Sequence, residues 1–409
     1  MKLNGSHIFI FFAFQVLTLV ISAKEGPELL YTPQYDIYLF DKLYDALTSR
    51  DYDKELAGIV EIRKMLESPD PSYDGFERSG ILRRLVEHLS SEKDVIQYES
   101  ASAIATLCSK GYSYLVVESD GISYLFNTLL SFNKTIQQQG VLAFGYIMGH
   151  NPDYRDKCIE EGVVFHLNRL IFSSKTPEYL LQNVSWAMSN LCKGADEYMD
   201  EEAINEILPA LTTLIQHSNP AILQYAVASY GYLAGEGGKF IQIVIDSGRI
   251  VNIIGLLNHT DVKVQFAAAG TVSILLTGNQ QQIQRIINYG ALPQLIKLLI
   301  HPKEDLKINS LQAVYNLVTY GNPKQIEALL KLNVIPSICN LLDNCSRKIV
   351  KKSLDIIHIL LEKSESIREI IGKHVNEWGG FEKLEEIMDK TISRLHDEDN
   401  GISQGTCSR

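Results

Sequence analysis

The sequence lacks the short motifs that mark common enzymes and metal sites. No HExxH pair occurs among its ten His, and none of its six Cys form a CxxC pair. The segment GEGGKF (235–240) resembles a phosphate-binding loop but lacks the G-x-x-x-x-G-K-[ST] pattern. We therefore predict that the chain is not an enzyme, has no catalytic residues and binds no metal, cofactor or small-molecule substrate.

An excess of positive charge is also absent. The chain has 38 Lys and Arg against 49 Asp and Glu, which gives a formal net charge of −11. Proteins that bind nucleic acid need a basic surface, so nucleic acid is excluded as a general partner. A basic segment of another protein is a better electrostatic match for an acidic chain.

Long apolar runs are missing, with one exception near the start. The uncharged run at 8–22 follows Lys2 and resembles a secretory signal peptide, because it is shorter than the roughly 20 residues of a membrane span. The six Cys favour a reducing compartment instead, since most lie in apolar helical stretches and resemble small buried side chains. We interpret residues 1–23 as either a signal peptide or an apolar extension, and 24–39 as a linker.

Internal repetition is the strongest positive feature of the sequence. Segments 101–130, 140–171, 225–257, 266–299 and 310–342 each combine a helix rich in small residues, a Gly turn, a helix of about ten residues, a second turn and an apolar helix. The first turns fall at Gly111, Gly149, Gly194, Gly235, Gly278 and Gly321. The second turns fall at Gly121, Gly162, Gly248, Gly290 and Asn333.

The repeat length defines the predicted architecture. A spacing of about 42 residues is typical of armadillo or HEAT units, which stack into a solenoid with a long concave surface lined by the third helix of each unit. We place N-terminal helices and the start of the first repeat at 40–92 and the repeats at 93–392. The polar tail at 393–409 is predicted to be disordered.

One helix of this array carries an unusual pair of residues. The segment QNVSWAMSNLCKG (182–194) contains one of only two Trp in the chain, four residues before Asn190. That spacing places Trp186 and Asn190 on one helical face, and Asn is a poor residue for a helix interior. The pair is either a binding surface or a core Trp beside a polar neighbour, and the sequence alone leaves both open.

The segment QNVSWAMSNLCKG resembles the Trp-x-x-x-Asn helix of the importin-α family. The segments GYIMGHNPDYRDKCIEEG, YLAGEGGKFIQIVIDSG, LLTGNQQQIQRIINYGALPQLIKLL and NEWGGFEKLEEIMDK resemble other repeats of that family in the same order, so the likeness covers about 40 to 392. It implies an all-α, armadillo-repeat, right-handed superhelical solenoid of about seven repeats with N-terminal capping helices. It also implies an adaptor of the cytoplasm and nucleus that binds nuclear localisation signals for protein import.

The resemblance implies particular partners and contacts. Lys/Arg-rich protein segments would lie along the concave groove, with importin-β and an export receptor as further partners. Indole faces would hold Lys side chains by apolar contact and cation–π attraction, and Asn amides would bond the peptide backbone. Alignment on the Gly turns gives the candidate peptide-binding residues Trp186, Asn190, Tyr146, Tyr232, Gln312, Asn316 and Glu236.

The sequence departs from the family pattern in two respects. The Trp position of the other repeats holds Ala103, Leu142, Ala228, Gly270 and Gln312, so only the pair at Trp186 and Asn190 is complete. The Arg/Lys-rich segment that binds importin-β in that family has no counterpart before Phe40. The alternative function is therefore a secreted or luminal armadillo scaffold for protein–protein interaction that has lost signal binding.

Overall fold

The computed structural model describes residues 34–68, 79–194 and 201–363, with further single positions at 76, 199, 371, 375–377, 379–380 and 382–383. The candidate signal peptide, the predicted tail and most of the last unit lie outside these residues.

Every regular element in the described part of the chain is helical. The helices in chain order are α1 (Gln34–Leu47), α2 (Tyr52–Glu67), α3 (Ile81–His88), α4 (Asp94–Ser109), α5 (Ser113–Glu118), α6 (Gly121–Leu130), α7 (Lys134–His150), α8 (Pro152–Glu160), α9 (Val163–Phe172), α10 (Glu178–Cys192), α11 (Glu201–Leu214), α12 (Pro220–Gly235), α13 (Gly238–Asp246), α14 (Ile250–Gly255), α15 (Val262–Leu275), α16 (Gln280–Asn288), α17 (Ala291–Leu299), α18 (Glu304–Tyr320), α19 (Pro323–Leu330), α20 (Val334–Leu341) and α21 (Arg347–Lys363). A 3₁₀ turn at Leu256–Asn258 extends α14.

The long helices form one continuous stack. These long helices are α2, α4, α7, α10, α12, α15, α18 and α21. We call them third helices, because in each complete unit two shorter helices precede the long one. Each third helix packs side by side on the next one along the chain, and the shorter helices pack behind them. This arrangement confirms the predicted all-α armadillo solenoid.

The N-terminal helices belong to this stack. Helix α2 takes the place of a third helix beside α4, and an ion pair of 2.6 Å joins Arg63 Nε to Glu99 Oε2 between them. The described residues therefore contain eight third helices, of which α2 lies in the range predicted for the N-terminal helices. Helix α1 begins at Gln34, inside the predicted linker, and its buried apolar residues include Phe40, Leu43 and Leu47.

The second turns have a left-handed residue at the predicted position in four units. Gly162, Gly248 and Gly290 have φ of 93°, 72° and 84°, and Asn333 has φ of 55°. In the earliest unit the left-handed residue is Asp120, with φ of 56°, and Gly121 instead begins α6. A Cβ on Gly121 would lie 2.5 Å from Val116 Cγ1, so close packing and not backbone conformation requires Gly there.

The first turns follow the Gly prediction less closely. Only Gly111 and Gly194 are left-handed there, at φ of 96° and 66°. The following helix in later units begins instead with an Asn cap: Asn279 and Asn322 each form a capping box with a Gln three residues later. These caps satisfy backbone N–H groups of α16 and α19, so a steep turn forms without a left-handed Gly.

Most described Cys are structural, as their apolar setting predicts. Cys108, Cys158, Cys192 and Cys339 are fully buried in the stack, while Cys345 is exposed. Burial raises the pKa of the Cys108 thiol to about 12 and that of Cys192 to about 12. Thiols with such a high pKa are poor nucleophiles at neutral pH.

A buried Arg tethers the end of α10, where the sequence has its acidic insertion. The Arg155 side chain is fully buried, its Nη2 pairs with Asp156 Oδ1 at 2.6 Å, and its Nη1 donates to the carbonyl oxygens of Lys193 and Gly194. Helix carbonyls at a C-terminus have no partner within the helix, so a cation is well suited to this position. The end of the helix that carries Trp186 is thereby fixed to α8.

Among the described helices, none is by itself long and apolar enough to cross a membrane. The pair Gly238–Asp246 and Ile250–Asn258 has the required length and composition when taken together, but it bends by 89° at the break.

Candidate functional site

A groove of about 470 Å³ crosses four consecutive third helices, α10, α12, α15 and α18. We call it the third-helix groove. Its lining includes Trp186, Ser189, Asn190, Gln224, Tyr225, Tyr232, Lys263, Phe266, Lys303 and Asp305. All these residues lie in third helices except Lys303, which is the N-terminal cap of α18. The repeat pattern predicts that third helices line the binding face.

A smaller cavity of about 150 Å³ adjoins the groove between α7, α10 and α12. We call it the Trp186 slot; its lining consists of Leu142, Tyr146, Gln182, Asn183, Trp186 and Tyr225. No charged side chain lines this slot. Trp186 lines both the slot and the groove, so the indole lies at the open face of the stack.

The Trp186 indole rests directly on the backbone of α7. A Cβ on Gly145 would lie 2.3 Å from Cζ3 of Trp186, so only Gly leaves room for the ring at this position. The Tyr146 ring meets the indole edge-on, with centroids 4.9 Å apart and planes at 68°. Trp186 is therefore partly buried against the core while still lining two cavities, which combines the two alternatives that the sequence left open.

Tyr146 is held in turn by its neighbours on α7 and α5. Its ring stacks on His150 with centroids 6.2 Å apart, and His150 Nδ1 lies 2.9 Å from Ser113 Oγ. Tyr146, at the edge of the Trp186 slot, is thus held in position by its contacts with Trp186 and His150.

Asn190 links α10 to the preceding third helix. Its Nδ2 donates to the carbonyl oxygen of Gly145 over 2.9 Å, and its amide lies against Gly149, where a Cβ would be 3.1 Å from Nδ2. Among the described contacts, Asn190 Oδ1 accepts no hydrogen bond. Asn190 is one of the residues that line the groove.

The structure does not bring Asn316 and Gln312 into the groove. Asn316 is 5% exposed; its Nδ2 donates to Ser273 O at 2.7 Å, and its Oδ1 accepts from Gln312 Nε2 at 2.8 Å. Both ends of the Asn316 amide are used within the stack. The sequence pattern placed Asn316 and Asn190 in equivalent positions, but burial separates their surroundings.

The other two candidates lie one turn apart at the end of α12. Tyr232 lines the groove and is 38% exposed. Glu236 is exposed at the C-terminal cap of α12, four residues further on, and is not part of the lining. A carboxylate at this place lies beyond the groove wall.

Hydrogen bonds between third helices recur along the stack. Thr271 Oγ1 donates to Val227 O at 2.9 Å, in the same manner as Asn190 to Gly145 and Asn316 to Ser273. Each bond joins a polar side chain to a carbonyl of the preceding third helix and fixes the register of the two helices. Sequence reasoning assigned the mid-helix Asn residues to ligand binding and missed this structural role.

Two aromatic residues of the groove escaped the sequence analysis. Tyr225 lies three residues before Ala228, and Phe266, which is 46% exposed, lies four residues before Gly270. The alignment placed small residues at the Trp position of α12 and α15, but an aromatic ring stands one helical turn earlier in both. A search of the neighbouring turn for aromatic residues would have found them.

Within the described ranges, no group of three or more His, Cys, Asp or Glu side chains comes together in a way that could hold a metal ion.

Comparison with known proteins agrees with the fold described above. Residues 279–319 match the Armadillo/beta-catenin-like repeat family, and this segment spans α16, α17 and all but the last residue of α18. Importin subunit alpha-8 of Arabidopsis thaliana is 28% identical over 266 residues, 65% of this chain and 58% of that protein. Importin subunit alpha-1a of Oryza sativa subsp. japonica is 29% identical over 279 residues, 67% of this chain and 52% of that protein.

Solved structures show the same fold. An engineered protein superposes with a TM-score of 0.74 at 21% identity, covering 84% of this chain and 82% of its own. A designed armadillo repeat protein in complex with the peptide (KR)4 superposes with a TM-score of 0.55 at 22% identity, covering 58% of this chain and 98% of its own.

The matched regions span about half the length of the curated relatives. The relationship confirms the prediction that the chain is not an enzyme. The repeat match, the relatives and the stack of third helices together identify the chain as a divergent, importin-α-like armadillo-repeat protein.

Proposed function

We propose that the chain is an adaptor that holds extended, Lys/Arg-rich protein segments across its third helices. The observation that carries this proposal is the place of Trp186, an indole that lines an uncharged slot on one side and a long groove on the other. The similarity to importin subunits alpha and to a designed armadillo protein in complex with (KR)4 supports the same class of ligand.

The Trp186 slot suits the stem of one Lys or Arg side chain. Cavities of about 150 Å³ can hold a benzene-sized group, and this slot has that volume between the rings of Tyr146, Trp186 and Tyr225. An aliphatic stem would pack on these rings while its cationic head lies near their faces, an arrangement worth about 0.5–2 kcal/mol for each contact.

Asn190 would fix the peptide backbone beside that side chain. Its Nδ2 donates to Gly145 O, which fixes the amide beside the groove that Asn190 lines. A peptide N–H that donates to Oδ1 would form a bond worth about 0.5–1.5 kcal/mol. Only one such indole and amide pair is complete, so we expect weaker binding than a full ladder of pairs would give.

The biological role that follows is recognition of nuclear localisation signals for protein import, in the cytoplasm and nucleus. Importin-β and an export receptor are the further partners that this role requires. These proposals rest on the likeness to importin subunits alpha and on the groove at Trp186.

Calorimetric titration with (KR)4 tests the proposal. We expect saturable binding that is about fivefold weaker in Trp186→Ala, which corresponds to the loss of about 1 kcal/mol of cation–π and stacking contact. Phe165→Ala is the matched control, because Phe165 is an exposed aromatic residue on α9 and outside the groove and the slot. Absence of saturable binding, or equal affinity of the wild type and Trp186→Ala, would refute the groove assignment.

A further inference from the structure

The third-helix groove is chemically different at its two ends. The Trp186 slot has no charged side chain, whereas the end formed by α15 and α18 is lined by Lys263 and Lys303 with a single acid, Asp305. In a chain whose formal net charge is −11, this lining has an excess of positive charge. A groove that accepted only basic side chains along its whole length would carry the opposite sign here.

The two Lys ammonium groups have no partner in the described part of the chain. Lys263 and Lys303 are exposed, and no ion pair there involves either side chain. Asp261 Oδ1 accepts the backbone N–H groups of Lys263 and Val264 as the cap of α15. Both Lys side chains line the groove, and neither forms an ion pair of 4.0 Å or less with a described carboxylate.

The next aromatic position along the stack is already covered by a cation of the chain itself. Lys352 Nζ on α21 lies 4.1 Å from the centroid of the Tyr315 ring on α18. Tyr315 occupies the place in α18 that Ser189, a groove residue, occupies in α10. A basic side chain of a partner would have to displace Lys352 to stack there, which argues again for a different ligand chemistry at this end.

We propose that the α15–α18 end of the groove binds a side-chain carboxylate of the same extended peptide whose basic residue enters the Trp186 slot. This inference rests on the proposed function and refines it, because it defines a peptide of mixed charge. The carboxylate lies between the ammonium groups of Lys263 and Lys303 while the peptide continues over Phe266.

The spacing of the two charges follows from the helix stack. Packed helices lie about 8–10 Å apart, and Lys263 and Lys303 are two and three third helices beyond Trp186. The distance is therefore about 16–30 Å, which an extended chain of about 3.3 Å per residue covers in roughly five to nine residues. The acid must lie at that separation from the basic residue.

Two labelled peptides test this arrangement by fluorescence anisotropy. EEGSGSKRKRSGSGEE carries carboxylates at the required separation on both sides, so the direction of binding does not matter. QQGSGSKRKRSGSGQQ has the same basic core with amides. We expect the Glu peptide to bind about threefold to fivefold more tightly, the range for two exposed ion pairs, although the net charge of the chain favours the Gln peptide.

The advantage of the Glu peptide should disappear in Lys263→Gln/Lys303→Gln. The matched control is Lys324→Gln/Lys331→Gln, an exposed Lys of α19 and the exposed Lys at its C-terminal cap, both outside the groove, which should keep the advantage. Raising the salt from about 0.1 M to 1 M should remove the advantage of the Glu peptide in the wild type and in the control variant, since the Debye length falls from about 10 Å to 3 Å.

The outcomes separate this inference from the proposed function. Equal or weaker binding of the Glu peptide, or an advantage that survives in Lys263→Gln/Lys303→Gln, overturns the carboxylate site while leaving the groove intact. If the peptide EEEE binds as tightly as the mixed peptide, the proposal that one peptide occupies the Trp186 slot and the carboxylate site together is overturned. Failure of both mixed peptides and of (KR)4 to bind overturns the proposed function itself.

Discussion

Replacing Arg155 by Met is expected to lower the free energy of unfolding by about 3 kcal/mol, within the range for breaking a buried charge network. The guanidinium is fully buried, pairs with Asp156 and donates to the carbonyl oxygens of Lys193 and Gly194. Met fills a similar volume but offers no donor, so the two carbonyls at the end of α10 lose their partner.

Urea unfolding monitored by circular dichroism measures this change. Arg285→Met is the matched control, because Arg285 forms an ion pair with Asp246 at 2.9 Å that is open to solvent, and such pairs contribute little to stability. We expect a clearly lower midpoint for Arg155→Met and a nearly unchanged one for Arg285→Met. Equal midpoints would show that Arg155 does not tether α10.

Gly145→Ala is expected to weaken (KR)4 binding about fivefold, as Trp186→Ala does, which corresponds to the loss of about 1 kcal/mol of aromatic contact. The new Cβ would occupy a point 2.3 Å from Cζ3 of Trp186, so the indole must leave its place. The backbone carbonyl of residue 145, which accepts from Asn190 Nδ2, is kept in this variant. One methyl group thus tests the position of the indole separately from the hydrogen bond of Asn190.

The helix itself should tolerate this substitution. Ala is a better helix former than Gly by about 1 kcal/mol in a helix interior, which offsets part of the strain from the displaced ring. Gly255→Ala is the control, because a Cβ there meets nothing within 4 Å. Thermal melting should show both variants folded, with binding weakened only in Gly145→Ala; unchanged affinity in Gly145→Ala would contradict the described position of Trp186.

The sequence was sufficient to predict the fold because the fold is repeated. Turn residues and apolar helices recur at a nearly constant spacing, and each repeated segment predicts the same three-helix unit. The membership of α2 in the stack was not predicted, since the repeated segments begin only at residue 101. Its role in the stack rests on contacts such as that of Arg63 with Glu99, which no local pattern predicts.

The candidate site was predictable only in part. Trp186 stands out because Trp is rare in this chain, and the structure places it at a groove. Asn316 shares the helical position of Asn190, but Gln312 and Ser273 satisfy its amide, and a one-dimensional alignment cannot show this. Phe266 lines the groove but was not predicted, because it lies one helical turn before Gly270, the position that the alignment assigned to binding.

The charge of the groove could not be predicted from the charge of the chain. A net charge of −11 suggested a basic partner throughout, yet the α15–α18 end presents Lys263 and Lys303. Their convergence depends on which turn of each helix faces the groove, a property of three-dimensional packing.

The position of the bound peptide relative to Trp186 tests the central claim most directly. The chain has two Trp, so protein carrying Trp378→Phe and labelled with 5-fluorotryptophan has one ¹⁹F signal, that of Trp186. Titration with (KR)4 should shift this signal saturably, with the same dissociation constant that calorimetry gives. A signal that stays in place while calorimetry reports binding would show that the peptide binds elsewhere and would contradict the account.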